Sequence, residues 1–352
     1  PHWGVASADI SYEMPVQGDG STRSAMLFMG TIPSFAGPVR SARVPMGSLR
    51  EIWDSAWVFY GWQNWANGNN IVVDVDDWAL SVHSDARQKG RWVFPFVEGS
   101  ERNYSDLFHR ENDGEHVAPH NVQINMNAVA SLFTSESTKH PFKFTETGLD
   151  RGVDVSAITI NYKTTKPAYI SSYEYNEMTG LYERYRNGAP YYDALTGAQT
   201  EYANVIVLRT DVSWFNNAPQ RPVIQLVGQG VAEIFQNGKY IRGTWVRTHD
   251  GKTGDDAKSL PARMIFFDEN GEELEMKVGK TFIQIVNNDQ AVIVNAGEQI
   301  EGATAQATPA PTATPKPTRT PKPTRTPKAS ANATPAPVEG EDNADEDVSF
   351  GG

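Results

Sequence analysis

Between residues 155 and 294 the chain is divided into short alternating segments by turn residues, and this punctuation restricts the fold more than any other feature. Residues 155–162 alternate apolar and polar side chains, and residues 169–175 do so again. This is the period of a strand with two unlike faces. The turn Glu177-Met178-Thr179-Gly180 follows, and residues 181–185 return from it. Asn187-Gly188 and Asn237-Gly238 are the strongest short hairpin signals in the chain, because a two-residue turn needs positive φ at both positions. Thr196-Gly197 and Glu269-Asn270-Gly271 mark further turns. Residues 204–208, 223–227, 233–235, 240–241, 264–267, 282–286 and 291–294 complete a series of strand candidates. Many short strands with Gly turns between them predict a sandwich or a strongly twisted sheet, so residues 152–297 read as a β-rich domain.

Residues 1–145 are patterned differently and read as a domain mixing helix and strand. Ile10-Ser11-Tyr12-Glu13-Met14 alternates as a half-buried strand does. After the turn Gln17-Gly18-Asp19-Gly20, residues 22–28 return as a more apolar, central strand that begins at Arg23. Pro45 suits a first helical turn. Met46, Leu49, Ile52, Trp53 and Ala56 then have the spacing of an amphipathic helix over 46–56. Trp57-Val58-Phe59-Tyr60 reads as the next strand. A strand, turn, helix and strand in this order predict an α/β-type crossover. Met126, Val129, Ala130 and Phe133 mark a short helix, and residues 139–151 read as a linker.

A chain of 352 residues holds about two domains. Its 9 Trp, 13 Tyr and 15 Phe are enough for a real core. The formal net charge of −12 argues against a general nucleic-acid binder. There is no cysteine, hence no disulfide or thiolate metal site. Beyond Gly302 the composition changes. Thr314-Pro315-Lys316-Pro317-Thr318-Arg319 is followed at once by its own repeat, and residues 339–347 are acidic. Frequent proline and the lack of bulky apolar residues predict disorder over 302–352, as in a spacer at a cell envelope. The first residue is Pro1 rather than Met, so the expectation is a fragment or processed product with any signal peptide upstream.

The candidate chemistry centres on Gly37-Pro38-Val39-Arg40-Ser41-Ala42-Arg43. Arginine offers a planar fork of donors matched to carboxylate or phosphate. A helix amino terminus adds free N–H groups. Arg40, Ser41 and Arg43, with Arg23, therefore make an anion site. The competing reading pairs one of these arginines with a buried carboxylate such as Asp9 or Glu13. His120 and Asn121 follow Pro119 and face one cleft as ligand contacts; His120 is also a candidate acid or base with Glu13, and Asn121 a cap for the helix after it. Asp74, Asp76, Asp77, His83 and Asp85 lack the pattern of a calcium loop and read as a solvated acidic stretch, so no metal site is assigned. Trp53, Trp57, Tyr60, Trp62, Trp65 and Trp78 are candidates for stacking on a sugar; most at helical or strand spacing read as core, and Trp62 and Trp65, in a Gly/Asn-rich loop, are the better candidates for exposure. No serine-hydrolase elbow, zinc-protease helix motif or phosphate-binding loop is present, and no cofactor is implied.

Several of these motifs together are specific. Ala8-Asp9-Ile10-Ser11-Tyr12-Glu13, Thr22-Arg23, the 37–43 segment and Ala118-Pro119-His120-Asn121 resemble the YerB-like lipoprotein family of bacterial envelope proteins, whose domains have no known function. So do Tyr173-Glu174-Tyr175, Asn204-Val205-Ile206-Val207, Phe235-Gln236-Asn237-Gly238, Gly243-Thr244-Trp245 and Phe267-Asp268-Glu269-Asn270-Gly271. The resemblance spans roughly residues 3–287. It implies an α+β fold of two domains with a layered β-β-α core, held outside the membrane by a lipidated cysteine upstream. The Pro/Thr tail is a departure from the family pattern. The functional expectation is an extracytoplasmic protein that binds an anionic or glycan ligand of the cell wall, or an envelope protein, in the first-domain cleft. The alternative is a hydrolase of envelope glycan or peptide, with His120 and Glu13 as acid and base and Arg40 and Arg43 as the substrate clamp.

Overall fold

The computed structural model describes residues 2–53, 55–61, 96–99, 105–132, 142–163, 169–214, 221–247, 264–295 and 297–300. Trp62, Trp65, Trp78, Asp74, Asp76, Asp77, His83, Asp85, Phe133 and the 302–352 tail lie outside the described residues.

Among the described residues the largest sheet has eight strands. Its order is β2 (Thr22–Leu27), β1 (Ile10–Pro15), β22 (Thr281–Asn287), β15 (Asn204–Thr210), β18 (Gly228–Gln236), β19 (Lys239–Arg247) and β20 (Ile265–Phe267), with β9 (Val153–Asp154) also on β19. A second sheet of seven runs β13 (Ala189–Pro190), β12 (Leu181–Arg186), β11 (Ile170–Asn176), β10 (Ala157–Asn161), β23 (Val292–Val294) and β24 (Glu298–Ile300), with β14 (Glu201–Tyr202) on β12. Smaller pairings join β3 (Phe35–Ala36), β7 (Val122–Asn125) and β6 (Phe108–Arg110); β4 (Trp57–Phe59) and β5 (Phe96–Glu98); β8 (Lys143–Thr145) and β21 (Glu275–Lys277); and β16 (Val212–Trp214) and β17 (Pro222–Ile224). The described helices are α1 (Val44–Trp53) and the shorter α2 (Met126–Leu132). The protein is thus β-rich, as its turn punctuation predicts.

Strand alternation assigns the core residues to two faces. Val205 and Val207 of β15 cluster with Ile158, Ile160, Tyr173 and Tyr182 of the second sheet. Ile206 and Leu208, one position along, cluster with Met46, Leu49, Ile52 and Trp53 of α1. β22 divides in the same way, Phe282 and Val286 to one side and Ile283 and Ile285 to the other. A strand covered on both faces reads as a near-continuous apolar run, and all seven residues of β15 are buried. The Trp53 indole donates to the Tyr12 hydroxyl at 2.8 Å, fastening the end of α1 to β1. Both Asn-Gly hairpins form, with φ of 51° at Asn187 and 79° at Gly188.

Four expectations are corrected. β1 is not half-buried, since all six of its residues are buried; the second sheet covers its polar face and supplies partners for it. β2 is not central but terminal in its sheet, and half-buried throughout. Among the described residues the expected β2–α1–β4 crossover does not form, because β4 pairs in parallel with β5 rather than with β2. Within the expected linker, Phe142 is a core residue and β8 pairs with β21.

Candidate functional site

The 37–43 segment is an extended connection held on both sides. Val39 N donates to Val122 O at 2.8 Å, Tyr60 N to Arg40 O at 3.1 Å, and Ala42 N to Gly61 O at 2.9 Å. At Gly37 the approach of β7 leaves no room for a side chain, since a Cβ there would lie 2.6 Å from Val122 O. Fixing the backbone this way directs Arg40, Ser41 and Arg43 into a cleft of about 1410 Å³, which Arg23 and His120 also line. The start of α1 adds fewer donors than expected. Pro45 has no N–H, and the Met46 N–H is taken by Arg43 O at 2.9 Å.

What holds the arginines in place is backbone carbonyl, not carboxylate. Arg23 Nη1 donates to Ser41 O. Arg40 Nη1 donates to Pro119 O at 2.5 Å. Arg43 Nη1 donates to Ala42 O at 2.8 Å and Ser41 O at 3.3 Å. Arg43 is only 3% exposed, and its Nε has no hydrogen-bond partner. Among the described residues none of the three has a carboxylate within ion-pair distance. Burial, and then the neighbouring Arg23, Arg221 and Arg40, push Arg43 down to about 8. Burial, Arg40 and Arg221 push Arg23 down to about 10. Arg40 is lowered by burial and by Arg110. A guanidinium gives up its proton very reluctantly, so these shifts mark cations short of counter-charge.

Neither proposed carboxylate partner is available. Asp9 accepts from Met29 N at 2.7 Å and Gly30 N at 3.0 Å. Glu13 is 1% exposed and saturated. It accepts from Thr22 Oγ1 at 2.5 Å, Ser171 Oγ at 2.8 Å, Arg184 Nη2 at 3.0 Å, Gln284 Nε2 at 3.1 Å and Arg186 Nη1. The register explains the separation. Met14 lies opposite Arg23 and Glu13 opposite Ser24, and opposed residues share a face. Glu13 and Arg23 therefore project from opposite faces of the β1–β2 ladder. Burial alone would raise the Glu13 pKa; Arg186 and Arg184, then Thr22 and Ser171, outweigh it and hold the carboxyl at about 2. Glu13 is therefore withdrawn as an acid or base and as the carboxylate partner of the 37–43 arginines, although it borders the same cleft.

His120 is exposed, with no partner for its ring among the described residues. Its pKa is lowered by burial, Arg40 and Arg23, which favours the neutral imidazole. Asn121 is placed elsewhere. It is 4% exposed, accepts from Arg110 Nη1 at 2.9 Å and donates to Glu111 O at 2.8 Å. It ties the loop before β7 to β6 and does not line the cleft. Nor does it cap α2; Asn125 does, accepting from Ala128 N at 3.0 Å. Sequence reasoning missed Arg221, which stands close enough to lower both Arg23 and Arg43, and it missed Arg184 and Arg186. Those two share a strand face with buried Tyr182, and an arginine in phase with apolar residues was the available signal.

Residues 1–139 match the family described as "Protein of unknown function (DUF3048) N-terminal domain", and residues 158–283 match its "C-terminal domain". The chain is 23% identical over 305 residues to "Putative lipoprotein YerB" of Bacillus subtilis (strain 168), covering 85% of this chain and 81% of that protein. The crystal structure of the Bacillus subtilis YerB protein superposes with a TM-score of 0.63 at 23% identity, over 81% of this chain and 86% of that one. That likeness is one of fold. By its two matched regions and this relative, the chain belongs to the YerB-like DUF3048 family of proteins of unknown function.

Proposed function

We propose that the protein is a non-enzymatic binding protein of the cell envelope whose cleft takes an anionic group on Arg23, Arg40 and Arg43, with Ser41 and His120 at its edge. The observation that carries this reading is that, among the described residues, these guanidiniums donate to carbonyls and have no carboxylate within ion-pair distance. A buried cation without counter-charge is costly, and a bound anion offsets that cost. The ligand is a cell-wall component or an envelope protein. The lipoprotein name of the Bacillus subtilis relative supports an extracytoplasmic location, with anchoring through a lipidated cysteine upstream and the 302–352 tail as a spacer. Covering of the large sheet by α1 on one face and the second sheet on the other supports reading the core as layered β-β-α. The family matches to residues 1–139 and 158–283 support a division into parts 1–145 and 152–297, although β1 sits inside a sheet built mainly from the second part.

The test is calorimetric titration with inorganic phosphate and with purified anionic cell-wall fragments, on the wild type and on Arg40→Ala and Arg23→Ala. Binding that weakens at least tenfold in both variants supports the site. Binding unchanged in both overturns it, and turnover of any fragment by the wild type overturns the non-enzymatic reading.

A further inference from the structure

The cleft has a second property besides charge: one wall is, among the described residues, the terminal strand of a sheet. β2 ends the eight-stranded order, with β1 on its inner side and no described strand on its outer side. Every residue of β2 lines the cleft, as do Phe28 and Met29 beyond it. Natural edge strands are usually blunted by charged side chains, proline or a bulge, and of these β2 carries a single charge, Arg23, whose guanidinium donates to Ser41 O. β2 is Thr-Arg-Ser-Ala-Met-Leu, and its six pairs with β1 run without a break. Exposed apolar residues also border the cleft: Met29, Ile32 and Val117 are 56%, 36% and 67% exposed.

We infer that the ligand is an acidic peptide segment that binds in extended form by adding a strand to the outer edge of β2. This rests on the anion site proposed above and deepens it. The main-chain N–H and C=O groups of the guest continue the ladder, and side-chain contacts select it. Arg23 is the second residue of β2, and directly opposed residues in a ladder have Cβ atoms about 5 Å apart. A carboxylate on the guest residue opposite Arg23 thus enters the field of Arg23, Arg40 and Arg43. Six residues of strand span about 20 Å, so the same guest reaches from the guanidiniums to the apolar border at Met29. A glycan satisfies the charge but has no backbone with which to continue a ladder.

The probes are three blocked hexapeptides: alternating valine and glutamate, alternating valine and lysine, and the glutamate peptide with N-methylated backbone amides. The full chain is followed by calorimetry and by amide hydrogen exchange. Strand addition predicts that the glutamate peptide binds and slows exchange within residues 22–27. It predicts at least tenfold weaker binding for the N-methylated and lysine peptides, and for the glutamate peptide on Arg23→Ala. Equal binding of the N-methylated peptide overturns strand addition while leaving the anion site standing. Failure of peptide and phosphate alike to respond to Arg23→Ala and Arg40→Ala overturns both.

Discussion

Two groups of arginines flank β1 and β2, and they are built on opposite terms. On the face toward the second sheet, Arg184 and Arg186 meet Glu13, with Thr22, Ser171 and Gln284 completing its shell. On the face toward α1, among the described residues, Arg23, Arg40 and Arg43 meet carbonyl oxygens and one another's charge and no carboxylate. The first group is closed, with its acceptor saturated by protein donors. The second is open in one respect: among the described residues no carboxylate stands within ion-pair distance of its arginines, although both groups border the cleft and both Arg43 and Arg184 keep unpartnered side-chain nitrogens. Under the proposed function, the contrast separates an arginine that locks a fold from one kept for a ligand. The criterion is not burial, which Arg43 and Arg184 share, but whether the described residues supply a counter-charge.

The largest expected effect lies in the closed group. Glu13→Ala leaves Arg184 buried without its carboxylate, and breaking such a pair costs about 3–5 kcal/mol. Urea unfolding measures this; a loss under 1 kcal/mol would show that the cluster is not a lock. Next comes its pH dependence. Glu13 is held at about 2 in the folded chain, against an ordinary value of 4.5. Because the folded value is the lower one, the stabilisation is complete above pH 4.5 and is lost as pH falls from there through 2. It amounts to something on the order of 3 kcal/mol. Glu13→Gln should remove this dependence between those pH values, and an unchanged acid limb in the variant would contradict the assignment. A smaller effect is expected at Asn121. Asn121→Ala should cost about 1–3 kcal/mol through the unpaired groups it leaves while anion affinity stays at the wild-type value. A loss of affinity with no loss of stability would return Asn121 to the site.

The strands and hairpins were legible because their signals are local. Asn187-Gly188 and Asn237-Gly238 need left-handed backbone, and few other residue pairs supply it. Helix α1 was legible from the spacing of Met46, Leu49, Ile52 and Trp53, with its bounds shifted from 46–56 to Val44–Trp53. Pairing between distant strands left no such trace. β1 lies parallel to β22, and Glu13 meets Gln284 across 271 positions of sequence. That distance is why the polar face of β1 read as solvent-facing and why β2 read as central. The 37–43 segment and Arg23 stood out by residue type. Which carboxylate they lacked did not, because it depends on the register that puts Met14, not Glu13, opposite Arg23.

The difference between the open and closed groups reduces to one measurement: the Tm of the wild type and of Arg43→Met against inorganic phosphate at constant ionic strength. If the open group awaits an anion, the wild-type Tm rises with phosphate, by an amount that reaches about 2.7 kcal/mol of stabilisation at a hundredfold excess over Kd. Arg43→Met should then fold with a Tm near that of the free wild type and show no such rise. A wild type indifferent to phosphate, or a variant that gains as much as the wild type, would contradict the account.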